Sequence, residues 1–273
     1  MTRRLGWGCL AAVVVLLALQ PLVAPYDPRG VDLAHALERP SKAHPLGTDG
    51  LGRDVMARVA AGAWSSILVG LVAIAVSSLV GVGVGILAGA GGARVDGALS
   101  VLVDVLLAFP RFVLLLNVAA VVTFRSAAVV GMVIGAMSWM RTARLVRTEV
   151  LTLRERTYVE AARAAGARGA RVLAKHLGPH VSRLVVETAA LRFSSVVVAA
   201  STLDFLGMGL PSESPTWGRL ILDGQSYLET APWVTLSAVL ALGLTAVGLT
   251  LASERRPGDS RRILRRIPSE NAP

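Results

Sequence analysis

Long apolar runs alternate with short polar segments along the chain. Crossing ~30 Å of hydrocarbon as a helix, at ~1.5 Å per residue, takes about 20 mostly apolar residues. Six runs approach or exceed that length, three without any charge and three with a few charged residues. In chain order they are 5–26, 59–93, 100–123, 126–146, 184–204 and 230–253. The pattern predicts an all-α, polytopic membrane protein with six transmembrane helices.

The first run resembles a signal peptide as well as an anchor, because Arg3 and Arg4 precede its apolar core. The small-residue cleavage pattern is poor, and Pro25 would follow a cut after Ala24. We therefore favour an uncleaved anchor. The predicted units are this anchor, an extracytoplasmic segment, the membrane core and a basic cytoplasmic tail, over 1–25, 26–62, 63–253 and 254–273.

Composition and charge agree with a membrane protein and indicate its orientation. The 273 residues are 53% hydrophobic and 17% charged, with a net charge of +10. With a cytoplasmic N-terminus, nineteen of the 28 lysines and arginines fall in cytoplasmic segments and seven in outer ones. This bias follows the positive-inside rule, so both termini are predicted to be cytoplasmic. The basic residues flank apolar runs without an interleaved aromatic patch, which argues against nucleic acid as a partner.

The basic tail has two readings that the sequence leaves open. Its arginines in "ERRPGDSRRILRRIP" suit contact with anionic membrane lipid. They also suit a solvated anchor that follows the positive-inside rule.

The chain lacks the residues required for an internal disulfide and for a nucleotide-binding phosphate loop. Cys9 is the only cysteine, so the chain forms no internal disulfide. Neither Lys42 nor Lys175 lies in a Gly-Lys-Ser/Thr phosphate loop, so this chain does not bind ATP in that way.

Two histidine arrangements have spacings that could suit a metal site. His176 and His180 have i, i+4 spacing, but no glutamate follows the first histidine and Pro179 lies between them. His44 and Asp49 could meet a metal outside the membrane, although a polar loop is the simpler interpretation. We predict no metal site and no catalytic residue.

Glycines recur at helical spacing in two of the runs. Gly81, Gly85 and Gly89 share one face of a helix and let a neighbouring helix approach closely. Gly131 and Gly135 repeat the spacing. The first set overlaps a loose dinucleotide-binding fingerprint, but that motif needs a preceding strand and here lies inside an uncharged run. We predict helix packing.

Three ionisable residues, Asp104, Glu187 and Arg192, lie in or near the predicted spans. Such groups are costly in a membrane and usually face a cavity or a partner. Two placements stay open for them: a polar path through the bundle, or the membrane interface.

One polar stretch, "EAARAAGARGARVLAKHLGP" at 160–179, separates the fourth and fifth runs on the predicted cytoplasmic side. Helix formers precede it, Gly166 interrupts it, and Pro179 is expected to end a second short helix. Small residues suit docking into a groove, and Glu160 favours the helix dipole. The residues predict a cytoplasmic contact site, with an ordinary basic loop as the alternative.

This stretch resembles the "EAA" signature of permease subunits in binding-protein-dependent ABC importers. Further stretches look like the C-type permease of dipeptide, oligopeptide and nickel transporters, and together they cover about residues 26–250. They are "HPLGTDGLGRDVMARVAAGAWSSILVG" (44–70), "GGARVDGALSVLVDVLLAFP" (91–110), "ARLVRTEVLTLRERTYVEAARAAGA" (143–167), "DFLGMG" (204–209) and "SPTWGRLILDGQSYLETAPW" (214–233).

The resemblance implies a non-enzymatic transport subunit of the bacterial cytoplasmic (inner) membrane, with six helices and both termini inside. Its partners would be a homologous B-type permease, two cytoplasmic ATPase subunits and an extracytoplasmic solute-binding protein. ATP and Mg would be used by the ATPases, and this chain would bind no cofactor. The coupling helices would lie in 154–180. Their contact with the ATPase would use Glu160, Ala161, Ala162, Gly166 and Pro179.

The sequence departs from the family pattern at Gly178, where leucine is usual, at Asp204, where a small hydroxylated residue is common, and at the C-terminal end. The resemblance favours peptide as the substrate, with nickel as the alternative. Two other classes compete. One is an intramembrane metalloenzyme that uses His176 and His180, and the other is a membrane scaffold that recruits a cytoplasmic partner without transport.

Overall fold

The computed structural model describes residues 2–23, 25–123, 125–165, 167, 169–172, 175 and 177–253. Their eleven α-helices are α1 (Thr2–Val23), α2 (Val55–Ala90), α3 (Ala93–Ala108), α4 (Arg111–Val121), α5 (Ala127–Ala136), α6 (Trp139–Arg154), α7 (Thr157–Ala164), α8 (Gly169–Val172), α9 (Gly178–Phe205), α10 (Trp217–Gly224) and α11 (Pro232–Ser253). Two 3-10 helices cover Leu33–His35 and Gln225–Tyr227. The described residues contain no strand beyond one isolated bridge, so the all-α prediction is confirmed for them.

Two helices, α2 and α11, are each long and apolar enough to cross a membrane. Three further pairs of helical pieces reach that length only across a bend, so the described residues hold up to five spans. The pairs are α3 with α4, α5 with α6, and the two halves of α9. In α1 the apolar stretch Leu5–Val15 is shorter than a span. The chain is a membrane protein whose third, fourth and fifth runs are bent.

Two of the bends have identifiable causes. α3 and α4 meet at 84°, where Phe109 is extended and Pro110 caps α4. The residue before a proline is pushed out of the α region, so a helix ends there and a new one starts. α5 and α6 meet at 49° beside Ser138, whose hydroxyl donates to the Ile134 carbonyl oxygen at 2.5 Å. Such a bond competes with the helix's own hydrogen bonds and favours a bend.

α2 is the central helix of the bundle. It packs chiefly against α5 and α6 and also contacts α9, α3 and α1, while α1 packs mainly against α11. α2 starts at Val55, where the Asp54 carboxylate accepts a hydrogen bond from Ala57 N–H at 2.7 Å. Because this cap lies before the apolar run, the helix begins earlier than the run at 59–93 predicts.

Three of the apolar clusters follow one another along α2. The cluster at the Val55 end surrounds Trp217 of α10, and the middle one contains Leu115 of α4 and Ile134 of α5. At the Ala90 end, a third cluster joins α6, α7, α8 and α9. The helices that carry the polar segments are therefore anchored at opposite ends of one central helix.

Candidate functional site

The segment between α6 and α9 is held against the bundle by apolar side chains. Val159 of α7 is fully buried, in one cluster with Val146 and Val150 of α6. Val172 of α8 and Leu177 belong to the same cluster. Because these side chains fix the buried face of α7, the opposite face of that helix is held outward.

The exposed side of α7 carries the residues that the sequence assigns to a partner contact. Glu160 and Ala161 are exposed and Ala162 is half-buried. Glu160 lies in the first turn, where its charge interacts favourably with the helix dipole. The Ala162 carbonyl oxygen accepts from Ala167 N–H at 3.0 Å, which closes the end of the helix. Gly166 lies outside the described residues.

Pro179 does not end a second short helix, and that prediction was wrong. It stands in the first turn of α9, which begins at Gly178. Proline is favoured there because its missing N–H has no helical partner in the first turn and its φ suits the helix. The second short helix that the structure describes is α8, which ends at Val172.

Five glycines lie where two helices approach each other closely. Three on α2 face α6, and two on α5 face α2. In every case an added Cβ would stand within 3.1 Å of a carbonyl oxygen on the facing helix. The five are Gly81, Gly85, Gly89, Gly131 and Gly135. The residues of the loose dinucleotide fingerprint lie within the continuous helix α2.

Asp104 and Glu187 lie in exposed ion pairs. Asp104 of α3 pairs with Arg144 of α6, and both side chains are more than half exposed. Glu187 of α9 pairs with Arg183 one turn earlier, with Oε1 and Nε 2.9 Å apart. Both carboxylates therefore lie on the surface of this chain.

Arg192 lies between helices instead. Its Nη2 donates to Ser77 Oγ of α2 at 2.9 Å and to the Ser138 carbonyl oxygen at 3.3 Å. The Ser138 hydroxyl oxygen also accepts from Arg111 Nη2 at 2.7 Å. The two arginines thus hold the bend between α5 and α6 from two sides, an arrangement that the sequence did not predict.

A buried charge cluster at the Val55 end of α2 was also missed. Arg53 Nε lies 2.7 Å from Asp49 Oδ2, and Arg53 Nη2 lies 3.2 Å from Asp223 Oδ2. The fully buried Arg58 lies 3.5 Å from Asp49 and 3.4 Å from Asp223, and Arg219 lies 2.9 Å from Asp223. The i, i+4 spacings of Asp49 with Arg53 and of Arg219 with Asp223 are visible in the sequence. The sequence does not show that the two pairs contact each other.

Tryptophan hydrogen bonds strengthen this connection between distant parts of the chain. Trp233 Nε1 of α11 donates to the Thr48 carbonyl oxygen at 3.2 Å. Trp217 Nε1 of α10 donates to the Val59 carbonyl oxygen at 2.9 Å. The polar segment before α2, α10 and the start of α11 therefore form one connected surface.

The histidines and the aspartate considered as metal ligands lie in other contacts or on the surface. His44 Nδ1 lies 2.9 Å from Asp54 Oδ2, and the Asp49 carboxylate is engaged by Arg53. His180 is exposed near the start of α9, and His176 lies outside the described residues.

Comparison with known proteins identifies the family. The profile described as binding-protein-dependent transport system inner membrane component matches residues 81–257. A putative peptide transport system permease protein of Brucella suis biovar 1 (strain 1330) is 32% identical over 251 residues, which cover 92% of this chain and 84% of that protein. The oligopeptide transport system permease protein OppC of Mycobacterium tuberculosis (strain ATCC 25618 / H37Rv) is 33% identical over 258 residues, covering 92% and 88%.

A third relative is a probable peptide ABC transporter permease protein, y4tQ, of Sinorhizobium fredii (strain NBRC 101917 / NGR234). It is 36% identical over 254 residues, which cover 92% of this chain and 85% of that protein. The family profile and the three relatives agree with the resemblance carried by the EAA stretch and the other motifs. The chain therefore belongs to the binding-protein-dependent transport system inner membrane component family, the permeases of ABC importers.

Proposed function

We propose that this chain is one of two permease subunits of a bacterial importer that carries peptides across the cytoplasmic membrane. Its six runs would cross the membrane six times, with both termini in the cytoplasm. The distribution of basic residues supports this orientation. Peptide is favoured over nickel because the three relatives are named as peptide or oligopeptide permeases.

The observation that carries the proposal is the two-sided character of α7. Its buried side is anchored through Val159, and its exposed side offers Glu160 and Ala161. A short helix with a fixed base and a small-residue surface suits insertion into a groove of a partner protein. The partner would be a cytoplasmic ATPase, and Ala162, Gly166 and the start of α9 at Pro179 would complete the contact.

The transport cycle would use alternating access. ATP and Mg would draw two ATPase subunits together, and the docked α7 helices of this chain and of a homologous B-type permease would move with them. The permease pair would then open toward an extracytoplasmic solute-binding protein, and hydrolysis would reset it. Such a cycle requires a bundle with two arrangements and a contact that favours one of them. The chain itself would bind no cofactor.

The connected surface around the buried charge cluster would face the binding protein. It lies at the Val55 end of α2, opposite α7, and joins the segment before α2 to α10. Because the cluster ties these pieces together, they would move as a unit when the bundle changes shape.

The ATPase contact is tested by charged substitutions on the exposed side of α7. The chain is expressed with its partner subunits, and Glu160→Lys combined with Ala161→Asp is compared with Glu229→Lys at the opposite end. We expect the α7 variant to remain in the membrane but to lose co-purification of the ATPases and peptide uptake. The control variant should keep the ATPases. Normal uptake with the altered α7 would contradict the proposal, and ATPase binding without any transport would favour a scaffold.

The substrate is tested separately. Uptake of labelled dipeptides and oligopeptides is compared with uptake of nickel by the complete complex. ATP-dependent accumulation of peptide is the expected result. Accumulation of nickel alone would overturn the assignment of substrate without affecting that of the permease.

A further inference from the structure

Three arginines from different helices lie beside the bends of three apolar runs. Arg111 is the first residue of α4, directly after the bend at Pro110. Arg141 lies in the first turn of α6, directly after the bend at Ser138. Arg192 follows the bend within α9, between Ala189 and Leu191. Broken helices at membrane depth are a common way to build a solute-binding site.

Arg111 and Arg192 lie deep in the bundle rather than at its ends, whereas Arg141 is exposed at the cavity between the bends. Arg111 and Arg192 are near the centres of the runs at 100–123 and 184–204. Ser77, which accepts a hydrogen bond from Arg192 at 2.9 Å, is near the centre of the run at 59–93. Lipid phosphate groups lie at the membrane surfaces, so this depth argues against a lipid headgroup as the ligand.

The three arginines have no acidic partner among the residues that the structure describes. Their like charges lie close together instead, because Arg111 and Arg141 line one cavity and Arg111 and Arg192 both bond to Ser138. The buried Nη1 of Arg192 has no hydrogen-bond partner among the described residues. A buried, unpaired cation is costly, so a complementary anion would relieve this arrangement.

There is room beside the arginines for such an anion. A cavity of about 270 Å³ lies between the α3–α4 and α5–α6 bends, and its lining includes Arg111, Ser138 and Arg141. Arg192 lies on the other side of Ser138, which it shares with Arg111. The N-terminus of α4 also ends at this cavity and adds a favourable dipole for negative charge.

We propose that Arg111, Arg141 and Arg192 form a binding site for the terminal carboxylate of the transported peptide, at the middle of its path. This inference rests on the proposed function. A free carboxylate is the one negative charge that every unmodified linear peptide carries, and guanidinium groups bind it with strong, charge-assisted hydrogen bonds. A site for it would serve peptides of different sequence. It would also screen the mutual repulsion of the three cations while the peptide passes.

The test compares two peptides that differ only at this group. The complete importer, with its partner permease, ATPases and binding protein, is reconstituted in proteoliposomes. ATP-dependent uptake of tri-alanine and of tri-alanine amide is measured, each above its dissociation constant for the binding protein. The variants are Arg111→Gln, Arg192→Gln and the conservative Arg192→Lys. Arg94→Gln, at the exposed start of α3, is the matched control.

We expect both Gln variants to slow uptake of tri-alanine at least about tenfold, because a charged hydrogen bond is lost, and to change uptake of the amide less than about twofold. Arg192→Lys should keep most of the activity, and Arg94→Gln should match the wild type. Equal slowing of both peptides in an intact complex would overturn the site. Loss of the partner permease from the Gln variants would also overturn it, since the arginines would then pair with a carboxylate of that subunit.

A second measurement avoids any variant that fails to fold. Thermal unfolding of the wild-type complex in detergent is followed with tri-alanine or with its amide, both at millimolar concentration. Tri-alanine should raise the unfolding midpoint more than the amide does, and equal shifts would contradict the carboxylate site. Failure of the wild type to import either peptide would refute the proposed function. Import by the wild type that the Gln variants slow equally for both peptides would refute only this site.

Discussion

Gly85 of α2 lies so close to Val146 of α6 that a Cβ added to the glycine would stand 2.7 Å from the Cβ of the valine. It would stand equally close, 2.7 Å, to the Ala143 carbonyl oxygen. The carbonyl belongs to a helix backbone and cannot turn away as a flexible side chain can. Close approach of α2 and α6 therefore depends on the absence of a side chain at this position.

Gly85→Ala should therefore destabilise the bundle by about 1–3 kcal/mol, the usual cost of overpacking. Gly83→Ala is the matched control, because an added Cβ there would meet nothing within 4 Å. Both substitutions gain the same helix propensity, roughly 1 kcal/mol, so their difference isolates the packing effect. The measurement is the thermal unfolding midpoint of each purified protein in detergent. Equal midpoints would show that α2 and α6 do not need this glycine.

The glycine faces were predictable because they depend on local spacing along one helix. Gly81, Gly85 and Gly89 are four residues apart, so they share a face whatever the partner is. The identity of the facing helix, α6, was not predictable, since no pattern within one run specifies its neighbour. The same limit explains why the sequence identified Glu160 on a contact helix but missed the side chain of Val159 that anchors it.

The helix bends show a second limit of prediction from the sequence. The six runs were counted as simple spans, yet Pro110 carries a known signal for a helix break, which the structure displays as the 84° bend. The bend beside Ser138 has no such signal, because serine bends a helix only when its hydroxyl turns back to the carbonyl oxygen of Ile134. The arginine cluster depends on both bends, so it could not be recognised before the structure.

The buried charge cluster should be sensitive to the loss of one carboxylate. Asp223→Asn would leave Asp49 as the remaining carboxylate partner of Arg53 and Arg58, and it would remove the carboxylate that pairs with Arg219. We expect a loss of about 2 kcal/mol in unfolding free energy, below the value for a fully buried pair because Asp223 is partly exposed. The exposed Glu229→Gln, in the loop after α10, is the control. An unchanged thermal midpoint in Asp223→Asn would mean that the cluster does not tie α10 to the segment before α2.

Asp204, which departs from the family pattern, should stabilise the loop after α9. Its carboxylate accepts a hydrogen bond from the Leu210 N–H at 2.7 Å, and its side chain is buried. Asp204→Ala would leave this N–H without its acceptor and should cost about 1–3 kcal/mol in unfolding free energy. Asp204→Asn keeps an acceptor oxygen and should cost less.

The control for Asp204 is Thr202→Ala. Thr202 is half-buried, and its hydroxyl donates within α9, to the Val198 carbonyl oxygen at 2.8 Å. Limited proteolysis in the 205–216 loop should speed up in Asp204→Ala and remain at the wild-type rate in Thr202→Ala. Similar cleavage rates in all four proteins would show that the carboxylate does not order this loop.

The position of α7 should depend on a single buried valine. Val159 is fully buried against α6, so Val159→Ala would leave a cavity and cost roughly 1–3 kcal/mol locally. The loss should fall on α7 rather than on the whole bundle, because α2 and α6 keep their own contacts. Hydrogen exchange of the α7 backbone should therefore accelerate while that of α2 stays constant. Val186→Ala, at an exposed position of α9, makes the same chemical change as a control. Acceleration in both variants, or in neither, would mean that α7 is not held by this contact, and the fixed surface needed for an ATPase would be lost from the proposal.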